Sequence, residues 1–83
     1  MGSYAVIFTY SFDDEVVVYL FDTEKEATDF LVASFQEEKR IDEEENGWNP
    51  ECWLSEDRWQ ATITNRFFDH EDVTEFRIGR VYL

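Results

Sequence analysis

A single helix-forming segment interrupts a chain that otherwise alternates as β-strands do, and this constrains the fold more than any other feature. The apolar side chains of residues 27–35 recur at the spacing of one helix face. Before them, Thr23 and Glu26 have the spacing of a capping box, and after them Asn46-Gly47 is a typical helix end. We predict one helix that begins at Thr23 or the residue before it and continues through Ile41.

Four segments alternate between the two sides of an extended backbone, with polar turns between them. They are residues 4–12, 16–21, 58–65 and 73–83. The resulting order, β-β-α-β-β, predicts a single two-layer α+β domain over residues 1–83, in which one helix packs on one face of a four-stranded antiparallel sheet. Residues 47–57 contain the proline and are predicted to be irregular. Gly79 interrupts the alternation of the last strand, which predicts a β-bulge.

The first predicted hairpin is apolar on both faces, although one helix covers only one side of a sheet. If the face that contains Ala5 and Ile7 meets the helix, a face rich in aromatic residues is left uncovered. That face carries Tyr4, Phe8, Tyr10, Tyr19 and Phe21. There are three alternatives for what buries this face: the loop at residues 47–57, which contains two tryptophans, a second copy of the chain, or a partner protein. The last two follow because large exposed apolar patches mark interfaces.

The charge of the chain indicates its class of partner. Its 20 acidic and 7 basic residues give a formal net charge of −13, and the whole excess lies in residues 1–57. Such a field repels nucleic acid and anionic membranes and attracts basic protein surfaces. The chain is not a disordered acidic tail, because 43% of its residues are hydrophobic and 18% are aromatic.

The candidate partner-binding carboxylates lie at the hairpin tip, at the helix end and in the loop that follows. They are Asp13, Asp14, Glu15, Glu37, Glu38, Asp42, Glu43, Glu44, Glu45, Glu51, Glu56 and Asp57. Duplex DNA carries about one negative charge per ~1.7 Å of its axis. A compact acidic protein can therefore offer a comparable charge density to a nucleic-acid-binding groove.

Enzymatic chemistry has little basis in this sequence. Cys52 and His70 are the only pair that could act as nucleophile and base, and no catalytic signature surrounds the cysteine. Residues 42–47 partly match a calcium-binding loop, but Trp53 stands where that loop needs a glutamate. We predict a non-enzymatic protein with no cofactor and no metal. The lone cysteine, with no leader and no membrane-spanning run, favours the cytoplasm.

Three stretches, YAVIFTYSF, YLFDTEKEA and DVTEFRIGRVYL, resemble a group of short bacterial proteins to which no activity is attached. In size, acidity and element order, the chain also resembles the small inhibitors of host defence encoded by phages and mobile elements, the anti-CRISPR and anti-restriction proteins. That resemblance implies a DNA mimic that blocks the nucleic-acid channel of a host-defence enzyme. The alternative is a protein-interaction or homodimerisation module that uses the aromatic face of the first hairpin.

Overall fold

A computed structural model describes residues 2–82 of the chain. One helix lies on one face of a five-stranded antiparallel sheet whose strand order is β2-β1-β5-β4-β3. The elements are β1 (Tyr4–Tyr10), β2 (Asp13–Phe21), α1 (Glu24–Arg40), β3 (Glu51–Leu54), β4 (Gln60–Arg66) and β5 (Glu71–Arg80). The α+β class, the single helix and the antiparallel sheet are confirmed, but the sheet has one strand more than predicted.

The additional strand is β3, which lies within the segment predicted to be irregular. It pairs antiparallel with β4, and Trp53 lies opposite Thr62. Cys52 and Leu54 pack toward the core while Trp53 stays exposed on the other face. Four residues are too few for alternation to be distinguished from an irregular apolar run, so the prediction was wrong here.

The helix begins as predicted and ends through a wider turn. The Thr23 hydroxyl oxygen accepts a hydrogen bond from the backbone N–H of Glu26 at 3.2 Å, which satisfies one of the free donors of the first turn. After α1 the chain forms a π-helical turn, Ile41–Glu45. Gly47 then adopts a φ of 68°, the left-handed conformation that ends many helices. The predicted stop at Asn46-Gly47 is confirmed.

The core lies between α1 and the sheet. Its buried members are Val6, Phe8, Ala27, Leu31, Phe35, Ala61, Ile63, Phe76 and Ile78. The even-numbered side chains of β1 point toward the helix, and the Phe8 ring packs on Phe30 and Phe76 at centroid distances of 5.8 and 4.9 Å. These large side chains fill the space beneath the helix, which the smaller Ala5 and Thr9 on the opposite face would leave empty.

The two faces of the first hairpin are therefore exchanged relative to the prediction. All five residues of the predicted aromatic binding face belong to the layer that faces the helix: Tyr4, Phe8, Tyr10, Tyr19 and Phe21. The uncovered face instead carries Ile7, Val16, Val18 and Leu20. The tryptophan-containing loop does not cover it, because Trp48 packs on Phe67 and Trp59 packs on Tyr4.

The predicted bulge at Gly79 does not form. Gly79 lies opposite Ala5 in an uninterrupted ladder between β1 and β5, and the register shifts instead between Thr9 and Tyr10, where β1 pairs with β2. The alternation breaks after Gly79 because the strand itself ends at Arg80. Val81 then donates its backbone N–H to the Ser3 carbonyl at 2.9 Å.

Candidate functional site

The register of the sheet gathers most of the acidic residues at one end of the molecule. The hairpin tip, the start of β3, the end of β4 and the start of β5 all lie there, as the pairs Tyr10↔Thr74 and Glu51↔Thr64 show. The end of the helix joins them through Asp42, whose Oδ2 accepts a hydrogen bond from Asn65 Nδ2 at 2.8 Å.

We call this region the acidic end. Its carboxylates are Asp13, Asp14, Glu15, Glu37, Glu38, Asp42, Glu43, Glu44, Glu45, Glu51, Asp69, Glu71 and Asp72. They make up thirteen of the 20 acids, and they are accompanied by only three of the seven basic residues, Lys39, Arg40 and Arg66. The acidic end therefore holds a formal charge of −10 out of the total of −13.

Each arginine at this end is shared by several carboxylates, so the excess charge is not neutralised. The Arg40 guanidinium contacts Glu37 at 2.6 Å, Glu44 at 3.3 Å and Glu45 at 3.4 Å. The hydrogen bond from Arg40 holds the pKa of Glu37 below its usual value. Arg66 likewise bonds one carboxylate on β3 and another on β5.

Five carboxylates of the acidic end have no ion-pair partner within residues 2–82: Asp13, Asp14, Glu15, Glu38 and Asp42. Burial raises the pKa of Glu38, and the charges of Asp42 and Glu37 raise it further. Burial likewise raises the pKa of Tyr10, with added contributions from Glu38 and from the hairpin-tip acids. The hairpin tip and the helix end thus both act electrostatically on Tyr10.

A cleft of about 340 Å³ opens between α1 and the sheet at the acidic end. Its aromatic lining comes from Phe8, Tyr10, Phe30 and Phe76, and Glu37 and Glu38 form its rim. Beside the small side chains of Ala33 and Ser34 on the helix, Tyr10 and Phe30 are half-buried, whereas Phe8 and Phe76 are buried beneath them. Aromatic rings beside carboxylates suit the apolar stem and cationic head of a lysine or arginine side chain.

The structure brings together nine of the twelve predicted acidic residues as surface groups: Asp13, Asp14, Glu15, Glu37, Glu38, Glu43, Glu44, Glu45 and Glu51. Asp42 is only 4% exposed, so its predicted role on the binding surface is wrong. Its side chain continues the buried face of the helix and bonds Asn65.

Glu56 and Asp57 lie at the opposite end of the molecule, in the turn between β3 and β4, and so the prediction that they share the surface is also wrong. That turn lies near the start of the helix, where Trp59 Nε1 donates a hydrogen bond to Glu24 Oε1 at 3.0 Å. Asp57 accepts hydrogen bonds from the Ser55 hydroxyl and the Trp59 backbone, which lower the pKa of its carboxyl. Its role is to close the turn.

Sequence reasoning missed the acids at the turn between β4 and β5 and at the start of β5, which are Asp69, Glu71 and Asp72. They lie among arginines in the sequence, and we assigned them to a balanced last third. The hairpin of the last two strands places this turn at one end of the sheet, but only the antiparallel pairing of β5 with β1 makes it the end that holds the hairpin tip.

The alternative chemistries are not assembled among residues 2–82. The Cys52 thiol is half-buried, lies 3.9 Å from the Pro50 carbonyl oxygen, and has a pKa raised by burial, which disfavours the reactive thiolate. His70 instead pairs with Asp69 at 2.6 Å and stacks on Phe67. The segment that resembles a calcium loop is helical, and no group of three or more potential ligands in the described part of the chain could hold a metal ion.

Comparison with known proteins finds no matching family model, no similar curated protein and no similar solved structure. The resemblance to host-defence inhibitors therefore stays a prediction. Across the described residues, no helix is both long enough and apolar enough to cross a membrane.

Proposed function

We propose that this protein is an acidic inhibitor whose acidic end binds the basic, nucleic-acid-binding groove of another protein. The observation that carries the proposal is the concentration of ten net negative charges at one end of the fold. A charge kept only for solubility has no reason to be gathered in this way, since solubility depends on net charge. The target class suggested by the resemblance is a host-defence nuclease, such as a CRISPR effector.

The charge density supports a mimic of nucleic acid at this end only. The molecule is 44 Å long. Duplex DNA covering half of that length carries about 13 phosphate charges at one per ~1.7 Å, compared with ten net charges on the acidic end. The other half of the protein has a net charge of only −3. We therefore expect the acidic end to enter the groove and the opposite end to stay outside it.

The aromatic cleft supplies the contact that charge alone cannot. Purely electrostatic binding gives little discrimination between basic surfaces. A lysine or arginine of the target can lay its stem over Phe30 and place its cationic head against Glu38, a carboxylate that has no ion-pair partner within residues 2–82. The proposal includes no catalytic step by this protein.

A pair of matched variants tests this function. In E15K/E38K both substitutions fall in the acidic end, whereas in E56K/E75K both fall outside it, and none of the four glutamates has an ion-pair partner within the described residues. Both variants change the net charge equally. Immobilised wild-type protein is exposed to a nuclease-treated bacterial lysate at low salt, and bound proteins are eluted with rising salt and identified.

We expect a nucleic-acid-binding enzyme that elutes with salt, is displaced by DNA or RNA, and is lost from E15K/E38K but kept by E56K/E75K. If both variants lost the enzyme equally, binding would depend on the total charge of the protein and not on the acidic end. A partner that stays bound at high salt and ignores nucleic acid would contradict the proposal.

A second function, a protein-interaction module, is favoured by the uncovered face of the sheet. This is the alternative that the sequence predicted, moved from the aromatic face to the face that carries Val16, Val18 and Leu20.

A further inference from the structure

The outer strand β2 presents a long apolar edge. It is the end strand of the sheet, so one side of its backbone has no neighbouring strand among residues 2–82. Its segment from Val16 to Phe21 contains no charged residue, no proline and no glycine. Val16, Val18 and Leu20 are 56%, 52% and 60% exposed, although they lie in the middle of a strand.

Such an edge is unusual for a protein with no partner. Folded proteins protect their outer strands with lysines, prolines, bulges or short length, because unpaired N–H and C=O groups are a template for another strand. The register shift in β1 and β2 lies near the hairpin tip, outside the segment from Val16 to Phe21. Alternate residues of that segment turn their backbone N–H and C=O groups outward. The other outer strand, β3, is only four residues long.

The uncovered face of the sheet extends the same surface. Val18 lies opposite Ile7 on β1, and Val16 lies opposite Thr9. The edge of β2 thus has an apolar strip beside it, on the side that the helix does not cover. A strand added to β2 gains backbone hydrogen bonds along the edge and side-chain contacts with this strip.

We propose that β2 binds an extended segment of a partner protein as a sixth strand, and that this segment is apolar at alternate positions with lysine or arginine at both ends. The flanks of the edge specify the charges. Three acids, residues 13–15, immediately precede the apolar segment, and Asp22 follows it. A segment with basic residues at both ends places positive charge against each acidic flank.

The same flanks disfavour a second copy of this chain. In an antiparallel pair of β2 strands that overlaps the two apolar segments, the acids at 13–15 of one copy lie against Asp22 of the other. In a parallel pair, each acidic flank lies against itself. Two chains that each have a charge of −13 also repel one another over longer distances. Charge complementarity therefore selects a basic partner over self-association.

This inference deepens the second function proposed above and does not rest on the acidic inhibitor. The apolar edge of β2 and the cleft are different surfaces, although the acids at residues 13–15 belong both to the acidic end and to the flank of this edge. The test uses a peptide of Val-Thr repeats with lysines at both ends, and the same peptide with glutamates in their place. Binding to the full chain is measured by titration, and amide hydrogen exchange of residues 16–21 locates it. Sedimentation of the free protein measures self-association.

Two variants give the matched comparison. V16S/V18S removes apolar side chains next to the edge, while T62S/T64S alters the same face on β4, which has strands on both sides. Circular dichroism establishes that each variant folds. We expect the lysine peptide to protect alternate amides of β2, to bind wild type and T62S/T64S equally, and to bind V16S/V18S about tenfold more weakly, since two cross-strand pairs are lost.

Three results would overturn the inference. Equal binding of the lysine and glutamate peptides would show that the acidic flanks do not select a segment with basic ends. Unchanged exchange at β2 would place any peptide elsewhere, including on the acidic end. A dimer in sedimentation that V16S/V18S dissociates would make a second copy the occupant.

Discussion

At the scale of single residues, the buried contact between Asp42 and Asn65 gives a sharp test of the structure. Asp42 Oδ2 is the partner of Asn65 Nδ2, and both residues are buried. We expect D42A to lower the free energy of unfolding by about 2 kcal/mol, because it leaves a buried amide without its acceptor. D42N keeps an oxygen in that position and should cost less than about 1 kcal/mol. Chemical denaturation measures both, and equal losses would show that the contact adds no stability.

Burial of Asp42 could have been predicted from helix phase but not from composition. Within the run of acids at 42–45, the first is an aspartate and the rest are glutamates, but this difference gives no sign of which one is buried. The position of Asp42 does, because it lies eleven residues after Leu31 and seven after Phe35, on the face that these residues bury. A carboxylate is rarely buried without a partner, and the partner comes from β4, which only the tertiary structure supplies.

His70 gives a pH-dependent prediction at the same scale. Its hydrogen bond with Asp69 raises the pKa of the imidazole, and Asp72 adds to this. Because the folded-state pKa lies above the unfolded one, the pair stabilises the fold fully at pH values below the ordinary histidine pKa. That contribution is lost as the pH rises through the folded-state pKa. The stability gap between wild type and H70Q should therefore shrink from acid toward alkaline pH in parallel denaturation series. A gap that grows with pH would contradict the assigned pairing.

At the scale of secondary-structure elements, two glycines can be compared: the backbone requires glycine at one position, and only tolerates it at the other. Gly47 has a φ of 68°, whereas Gly79 lies in a regular ladder. A Cβ atom at either position would meet no heavy atom within 4 Å, so only the backbone distinguishes them. We expect G47A to cost about 1 kcal/mol of unfolding free energy. G79A should be neutral or slightly stabilising, because glycine weakens a strand interior. Thermal unfolding of the two variants decides, and equal effects would contradict the assigned helix end.

The elements that the sequence predicted well are those with long periodic patterns or specific caps. Thr23 and Glu26 located the start of the helix, and Asn46-Gly47 located its end. The choice of face in the first hairpin was not predictable from pattern, because both faces are apolar and both satisfy the alternation. Side-chain size decided it, since Phe8 fills the space under the helix and Ala5 cannot.

At the scale of the whole molecule, the acidic end is a product of topology. The sequence shows where the charges lie along the chain, and it indicated a binding surface at the helix end and the hairpin tip. It could not show that the turn at residues 69–72 joins them or that Glu56 lies far away. Those placements depend on strand order, which is set by long-range pairing and leaves no local trace in the residues concerned.

The distribution of charge also predicts how salt acts on stability. Repulsion within the acidic end destabilises the fold, and the Debye length falls from about 10 Å at 0.1 M salt to about 3 Å at 1 M. Sodium chloride should therefore raise the unfolding temperature of the wild-type protein. At low salt, E15K/E38K should be more stable than E56K/E75K, although both have the same net charge, because its lysines lie among ten negative charges rather than three.

At 1 M salt, the difference between these two variants should largely disappear, since only contacts within a few ångströms then remain unscreened. Differential scanning calorimetry over a salt series measures both effects. A difference that persists at high salt would have to come from packing at Glu38. The single variant E15K, at an exposed position of β2, would then show no such difference. Equal stability of the two variants at low salt would mean that charge acts on this fold only through its total, which would remove the physical basis for a specialised acidic end.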